Sequence, residues 1–328
     1  MHALFFLLGA FFVLFGAVDA LWTTLWVDGN AGPLTRRHNS WLRRLILRLA
    51  GRQHRMLSLT GPAVLVTSVL VWALMAWTGW LLLFSADSRS LLHAHSGVPS
   101  DLADRIYFTG YTMFTLGNGD FTPNGSFWEI ATSFASLNGL FMLTLAVTYL
   151  LAIIEAVVAK RSFASQVWTL GRTAEEFILN TWNGHGFPAV ELQIVSLTEQ
   201  LELVTEQHHA YPMLHFYHEA EKKESVAHNL AVFSEVLLIY RHGVAERVRP
   251  APAAILPAQR ATEQFLDTLR SAFVQPSEKQ ADPPRLDRLT AAGIPVVPSD
   301  EFQRAVRERQ ERRQLLRGFL DSERRDWP

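Results

Sequence analysis

Thr115-Leu116-Gly117-Asn118-Gly119-Asp120 is a short polar run with two glycines, set between long apolar segments that can each cross a bilayer. Glycines on either side of one residue let a backbone alternate between left- and right-handed conformations, so that successive carbonyls turn toward one side. Thr115 adds a hydroxyl at the inner end. Bare carbonyls are costly in hydrocarbon, and irregular backbone at membrane depth is tolerated only where it is buried in protein or lines a watery path. Placement and residue type together read as an ion filter.

Working outward, Leu102 to Phe114 is too short to span and reads as a helix aimed with its carbonyl end at the run, where its partial negative charge favours a cation. Leu57 to Phe84 is the span before it, entered through Thr60-Gly61-Pro62, and Phe127 to Ala159 the span after it. Trp72, Trp77 and Trp80 either pack in the bundle or sit at the headgroup level. The loop 85–104 sets Asp87, Asp101 and Asp104 against Arg89, a balance that suits an outer face. Leu4 to Val27 is a further span with one charge, Asp19, which reads equally as a functional carboxylate or as a residue reaching the headgroups.

The segment 34–57 carries Arg36, Arg37, Arg43, Arg44, Arg48, Arg52 and Arg55 with no acidic residue, and Lys160 and Arg161 follow the last span. Basic flanks mark cytoplasmic sides. The N-terminus is then outside and the C-terminus cytoplasmic, in a multi-pass plasma-membrane protein of the bacterial inner-membrane type. Val18-Asp19-Ala20 has the small-residue pattern of a signal cleavage site, but cleavage would leave the arginine loop outside and invert the filter. Trp41, Leu42, Leu45, Ile46 and Leu49 share one helical face and Arg44, Arg48, Arg52 and Arg55 another, which predicts an amphipathic helix along the inner surface.

Thr115 to Asp120 resembles the potassium-channel filter T-V-G-Y-G-D, and Asp120-Phe121-Thr122-Pro123 resembles that family's exit from it. The resemblance covers about residues 60 to 160 and places the chain near the bacterial channels of two spans and a pore loop, with an extra N-terminal span. It implies potassium ions held at Thr115, Leu116, Gly117 and Asn118, an aromatic cuff at Tyr107 and Phe108, a homotetramer around one axis, and no cofactor beyond the permeant ion. It also offers Gly139 as a gating hinge, beside the plainer reading that a mid-span glycine lets helices pack closely. Two residues depart from the pattern. Asn118 stands where the family has an aromatic ring, and Phe114 where it has a small hydroxyl residue, which puts selectivity for potassium over sodium in question. Tyr111 stands where several members carry an acid paired to the filter aspartate, so a mechanism dependent on that pair does not carry over.

Over 328 residues the chain is 49% hydrophobic, with mean hydropathy +0.09 and net charge −1. That average hides two halves, because charges are few and clustered up to about residue 159 and frequent beyond it. The domains expected are 1–57, an N-terminal span with its basic segment; 58–160, a pore domain; and 161–328, a helical cytosolic domain. The fold class is thus an all-α membrane protein with three spans, a re-entrant pore helix and a helical cytosolic part. Zero cysteine excludes disulfides and thiolate metal sites, and the neutral charge balance gives no reason to expect nucleic acid. In the C-terminal half, helices are expected from Phe187-Pro188 and over about Glu224 to Arg247. Arg249 to Pro257 and Gln275 to Pro298 read as linkers, and Ser299 to Arg325 as one charged helix with a solvated face.

No glycine-rich nucleotide-binding fingerprint follows a strand there. His208, His209, His215 and His218 form the one chemical-looking cluster, the last two spaced i and i+3 on a helix that Pro212 could start; they are read either as a metal or proton sensor or as polar helix surface. No triad, phosphate loop or carboxylate pair suggests an enzyme. The reading is a tetrameric potassium channel conducting passively among membrane lipids, with a weakly selective cation channel or a non-conducting sensor or scaffold as the alternatives.

Overall fold

The computed structural model describes residues 2–26, 31–50, 54–272 and 274–328. Helices α1 (His2–Leu25), α2 (Pro33–Ala50), α3 (His54–Leu57) and α4 (Thr60–Ser85) lead through strand β1 (Leu91–His93), α5 (Leu102–Met113) and strand β2 (Phe121–Pro123) to α6 (Ser126–Leu170). There follow α7 (Ala174–Thr181), α8 (Val190–Ala210), α9 (Val226–His242), α10 (Pro252–Ala272), α11 (Asp287–Ala291), α12 (Ser299–Glu308) and α13 (Gln310–Ser322). Among the described residues α1, α4 and α6 are long and apolar enough to cross a membrane. The chain is an all-α membrane protein. It divides into two compact units, one of residues up to Ile46 with Pro62–Ile153, the other of Leu47–Gly61 with Ile154–Pro328.

In the first unit α1 runs antiparallel to α4. His2 Nδ1 lies 2.6 Å from the Ala86 carbonyl oxygen at one end, and Trp72 Nε1 donates to Asp19 Oδ2 at 3.1 Å further along. Between these points a Cβ on Gly9 would meet the Gly79 oxygen at 2.7 Å. Hydrocarbon gives apolar helices no reason to associate, so such small-residue approaches carry the packing. Asp19 does not reach the headgroups. It is fully buried and caps α2, accepting from Leu34 N at 2.8 Å, from Thr35 N at 3.2 Å and from the Thr35 hydroxyl at 2.5 Å. The first turn of a helix leaves its N–H groups without partners, and a carboxylate there answers both the hydrogen bonds and the dipole.

From that cap α2 lays its polar side on α4. Ser68 Oγ donates to Asn39 Oδ1 at 2.9 Å, and His38 Nε2 lies 2.9 Å from Thr67 Oγ1. The apolar side faces away, with Trp41 57% exposed, as suits a helix bathed in lipid. Arg44 and Arg48 are exposed, whereas Arg52 and the side chains of Arg55 and Leu49 lie outside the described residues.

The second unit is built on α9, whose residues Val226 to Tyr240 are all buried, with α7, α10 and α13 packed against it and α8 laid along α10. Three expectations are corrected here. The segment read as a linker over 249–257 already belongs to α10 from Pro252, because proline suits a first helical turn; Pro257, inside the helix, forfeits a hydrogen bond and crowds the Ala253 carbonyl, which the burial of α10 outweighs. The terminal segment is two helices, broken at Arg309. Its faces are not simply solvated: Phe302, Val306, Leu316, Phe319 and Leu320 enter the core, and Arg313 is buried in a bidentate pair with Glu235 at 2.9 and 3.1 Å. Finally, Pro212 starts a 3-10 turn that ends at Phe216, so His215 and His218 do not share an α-helix.

Candidate ion-conduction site

The site is assembled from the end of α5, the run 115–120 and the strand pair at its exit. Asp101 caps α5 reciprocally with Asp104: the Asp101 carboxylate accepts from Asp104 N, and Asp104 Oδ2 accepts from Asp101 N, both at 2.9 Å. At its other end Leu116 N donates to the Tyr111 oxygen at 2.8 Å and Thr115 N to the Thr112 oxygen at 3.2 Å, folding the chain back directly from the helix.

Thr115, Gly117 and Gly119 have φ of +58, +61 and +76°, while Leu116 and Asn118 between them do not. Residues with and without positive φ thus alternate, the condition under which neighbouring carbonyls share one side. For a β-branched threonine this conformation is strained by about 1 to 3 kcal/mol, which the surrounding hydrogen bonds must outweigh. A Cβ on Gly117 or Gly119 would meet nothing within 4 Å, so dihedral angle alone requires glycine there. All of residues 114–120 are exposed on the single chain.

Behind the run stands the aromatic layer. Tyr107 packs edge-on against Tyr111 with centroids 5.1 Å apart, and Phe108 against Phe84 at 5.2 Å. Trp77 Nε1 donates to the Ile106 oxygen at 3.3 Å, and Trp80 Nε1 to Asn138 Oδ1 at 3.1 Å, so Trp72, Trp77 and Trp80 all serve the bundle. The Asn118 amide donates to the Tyr107 hydroxyl and, at 3.1 Å, to Asp120 Oδ2. A ring on the helix and an amide in the run meet where the resemblance led one to expect a ring in the run.

At the exit β2 pairs antiparallel with β1, Leu92 opposite Thr122, and Ala94 N donates to the Asp120 oxygen at 2.9 Å. His93 Nε2 lies 3.1 Å from Asp104 Oδ2, and Trp128 Nε1 donates to Asp87 Oδ2 at 3.2 Å. This collar was not foreseen, since three-residue strands separated by the whole of α5 leave no periodic signal.

Gly139 lies in α6 against the end of α5. A Cβ there would sit 2.1 Å from the Met113 carbonyl oxygen, so the close approach by itself requires glycine. On α6 the buried residues, among them Trp128, Ala135, Met142, Ala146, Tyr149 and Ile153, recur at helical spacing, and the opposite side is exposed, with Leu140, Thr144, Thr148 and Leu151 on it.

A family model for ion channels matches residues 66–156, which takes in most of α4, the whole of α5 and the run, and most of the membrane part of α6. The Bacillus subtilis (strain 168) protein named uncharacterized membrane protein YdjJ is 40% identical over 313 residues, covering 95% of this chain and 92% of that protein. The chain belongs to the ion-channel pore-loop family. No solved structure matches it. The matched stretch thus lies in the Pro62–Ile153 part of the first unit and runs just into the second, and the likeness to the Bacillus protein extends through the C-terminal helices.

The histidine cluster is not drawn together. His209 is exposed, and His208 is buried edge-on against Phe265 with centroids 5.2 Å apart. Burial, helped by the charge of Lys160, lowers the His208 pKa to about 3, so it stays neutral at physiological pH. Among the described residues no three histidine or acidic side chains converge to hold a metal ion.

Proposed function

We propose that this ion channel is a homotetramer selective for potassium, conducting passively through the carbonyls of Thr115, Leu116, Gly117 and Asn118. The observation that carries the reading is the alternation of φ at Thr115, Gly117 and Gly119. A row of aligned carbonyls can replace the hydration shell of a monovalent cation, and a single row per chain surrounds an ion only when several chains share an axis. Supporting the assembly is the exposure of residues 114–120 together with one whole side of α6, which bears Leu137, Leu140, Thr144, Thr148 and Leu151. Four copies would bury the apolar part and leave the threonine hydroxyls toward the conduction path.

The N-terminus is placed outside and the C-terminus in the cytoplasm, with Asp120 and the β1–β2 collar at the outer mouth. Its helix flanks support this, Arg36, Arg37, Arg44 and Arg48 lying after α1 and Arg161 at the foot of α6. The protein acts on ions and lipid surroundings, not on a substrate bond. Potassium flux into liposomes containing the purified protein is the test. Potassium uptake well above sodium uptake is expected; equal uptake of both would leave a weakly selective cation channel, and no uptake of either would leave a membrane scaffold. Mass measurement of the detergent-solubilised protein should give four chains.

A further inference from the structure

The cytosolic end of α6 carries a lysine that is not in water. Lys160 is 2% exposed; its Nζ lies 3.0 Å from Glu219 Oε1 and donates to the Tyr217 oxygen at 2.8 Å. The other walls of this site come from the C-terminal segment. Glu323 is 5% exposed and accepts from the hydroxyl of Ser225, the N-cap of α9, at 2.9 Å. Arg325 donates to the Glu219 backbone carbonyl oxygen at 2.5 Å and has its Nε 3.6 Å from Glu323 Oε2. The second carboxylate oxygen of Glu219 is buried without a hydrogen-bond donor among the described residues. Two acids and two bases, held by α6, the 217–221 segment, α9 and the tail beyond α13, are thus shut away from solvent together.

We infer that this cluster is a proton-operated latch, which docks the C-terminal segment at the foot of the pore-lining helix while Glu323 is protonated, loosens when it ionises, and so sets channel opening by cytosolic pH. The site is built with opposed acids rather than with complementary pairs alone. Burial, and next the charge of Glu219, push the Glu323 carboxyl up to about 7, while Lys160, Arg325 and the Ser225 hydroxyl pull the other way. Of the histidines near the cluster, His218 is buried beside Glu219 in the 217–221 segment, and two others are held neutral. His208 faces Lys160 from α8 and is depressed to about 3. His228, beside Lys222 and Arg325 on α9, is depressed to about 4, so both are already neutral near pH 7.

The sign follows from linkage. In an undocked tail Glu323 would ionise near the ordinary glutamate value of about 4.3. The docked form keeps its proton longer, so docking is strongest at low pH, weakens as pH rises through the interval, and is weakest above about 7. The coupling to opening rests on the ion-channel reading, because Lys160 belongs to the same unbroken helix, Ser126–Leu170, that crosses the membrane.

The full-length protein in liposomes tests this with two readouts. The chain has no cysteine, so Asp326→Cys, at an exposed position, accepts a single nitroxide label. Label mobility should increase between pH 4.5 and 7.5 and level off above about 7, and ion flux should change over the same interval. Glu323→Gln, which mimics the protonated acid, should abolish both responses and hold the acid-side level. Ser225→Ala, which removes a hydrogen bond favouring the ionised form, should move the levelling-off to higher pH and remains informative if the glutamine variant misfolds. A pH-dependent flux with an unresponsive label, or a wild-type response in Glu323→Gln, overturns the latch. A label that titrates and answers to both variants in protein without any flux keeps the docking but sinks the channel reading and the control of opening with it.

Discussion

Removing one hydroxyl, in Tyr107→Phe, should cost the channel most of the preference for potassium over sodium proposed above. The phenol accepts the Asn118 amide from behind the run. Its ring stays packed after the change, 5.1 Å from Tyr111 and 6.3 Å from Phe121, so packing is conserved and only the hydrogen bond is lost. A hydrogen bond of this kind contributes about 0.5 to 1.5 kcal/mol net. Four copies around one axis set an upper bound of about 2 to 6 kcal/mol, reduced by non-additivity between neighbours. A tenfold change in relative permeability requires about 1.4 kcal/mol, which lies inside that bound. Reversal potentials under opposed potassium and sodium gradients give the ratio directly. Tyr107→Phe should lower it about tenfold, Asn118→Leu should lower it comparably, and the double variant should be no worse than either, because both delete the same bond. If Tyr107→Phe leaves the ratio unchanged while Asn118→Leu shifts it, the brace is not what the amide provides, and Asp120 remains as its working partner.

Asp19→Ala should lower the thermal midpoint of the detergent-purified protein, since it strips the acceptor from Leu34 N and Thr35 N while Trp72 Nε1 keeps Thr35 Oγ1, at a cost of about 2 to 6 kcal/mol for two buried groups left without partners; an unchanged midpoint would mean that α2 is held elsewhere. Gly139→Ala puts a methyl against the Met113 carbonyl and should disturb oligomer yield on size exclusion and relative permeability together. A variant with normal yield and permeability but altered open probability would instead support a hinge. For orientation, an impermeant thiol reagent on intact cells should label Ser96→Cys and spare Ser40→Cys, both exposed positions; the reverse pattern would refute an outer collar.

The membrane part was legible because the bilayer constrains it severely. Leu102 to Met113 needed only length and an apolar face to be read as a short helix, and the glycines at 117 and 119 announced the positive φ that they adopt. What escaped was long-range polar pairing. Nothing near Asp19 in sequence names Trp72, and nothing near Lys160 names Glu219 or Glu323. The amide of Asn118 pairs with Tyr107, one helical turn before Tyr111 on α5, and nothing near Asn118 in sequence names that partner. In the second unit, alternating charge over 299–325 resembles solvated helix, and only the fold distinguishes Arg313, locked to Glu235, from Arg307, which stays exposed.

Asp19 also has a history within each molecule's synthesis. When α1 leaves the ribosome, Leu34, Thr35 and Trp72 have not yet arrived, and its carboxylate has none of the partners that later surround it. At the centre of an inserting helix an aspartate opposes partitioning by about 2.5 to 3.5 kcal/mol, against about 0.3 to 0.6 in favour for each leucine, isoleucine, phenylalanine or valine. The run from Leu4 to Val18 is rich in such residues and can carry the helix in regardless. Full settlement of α1 then waits for Trp72, so α1 would be fixed only after α4 has been made, and a chain truncated before α4 should hold α1 less firmly than the full-length chain does.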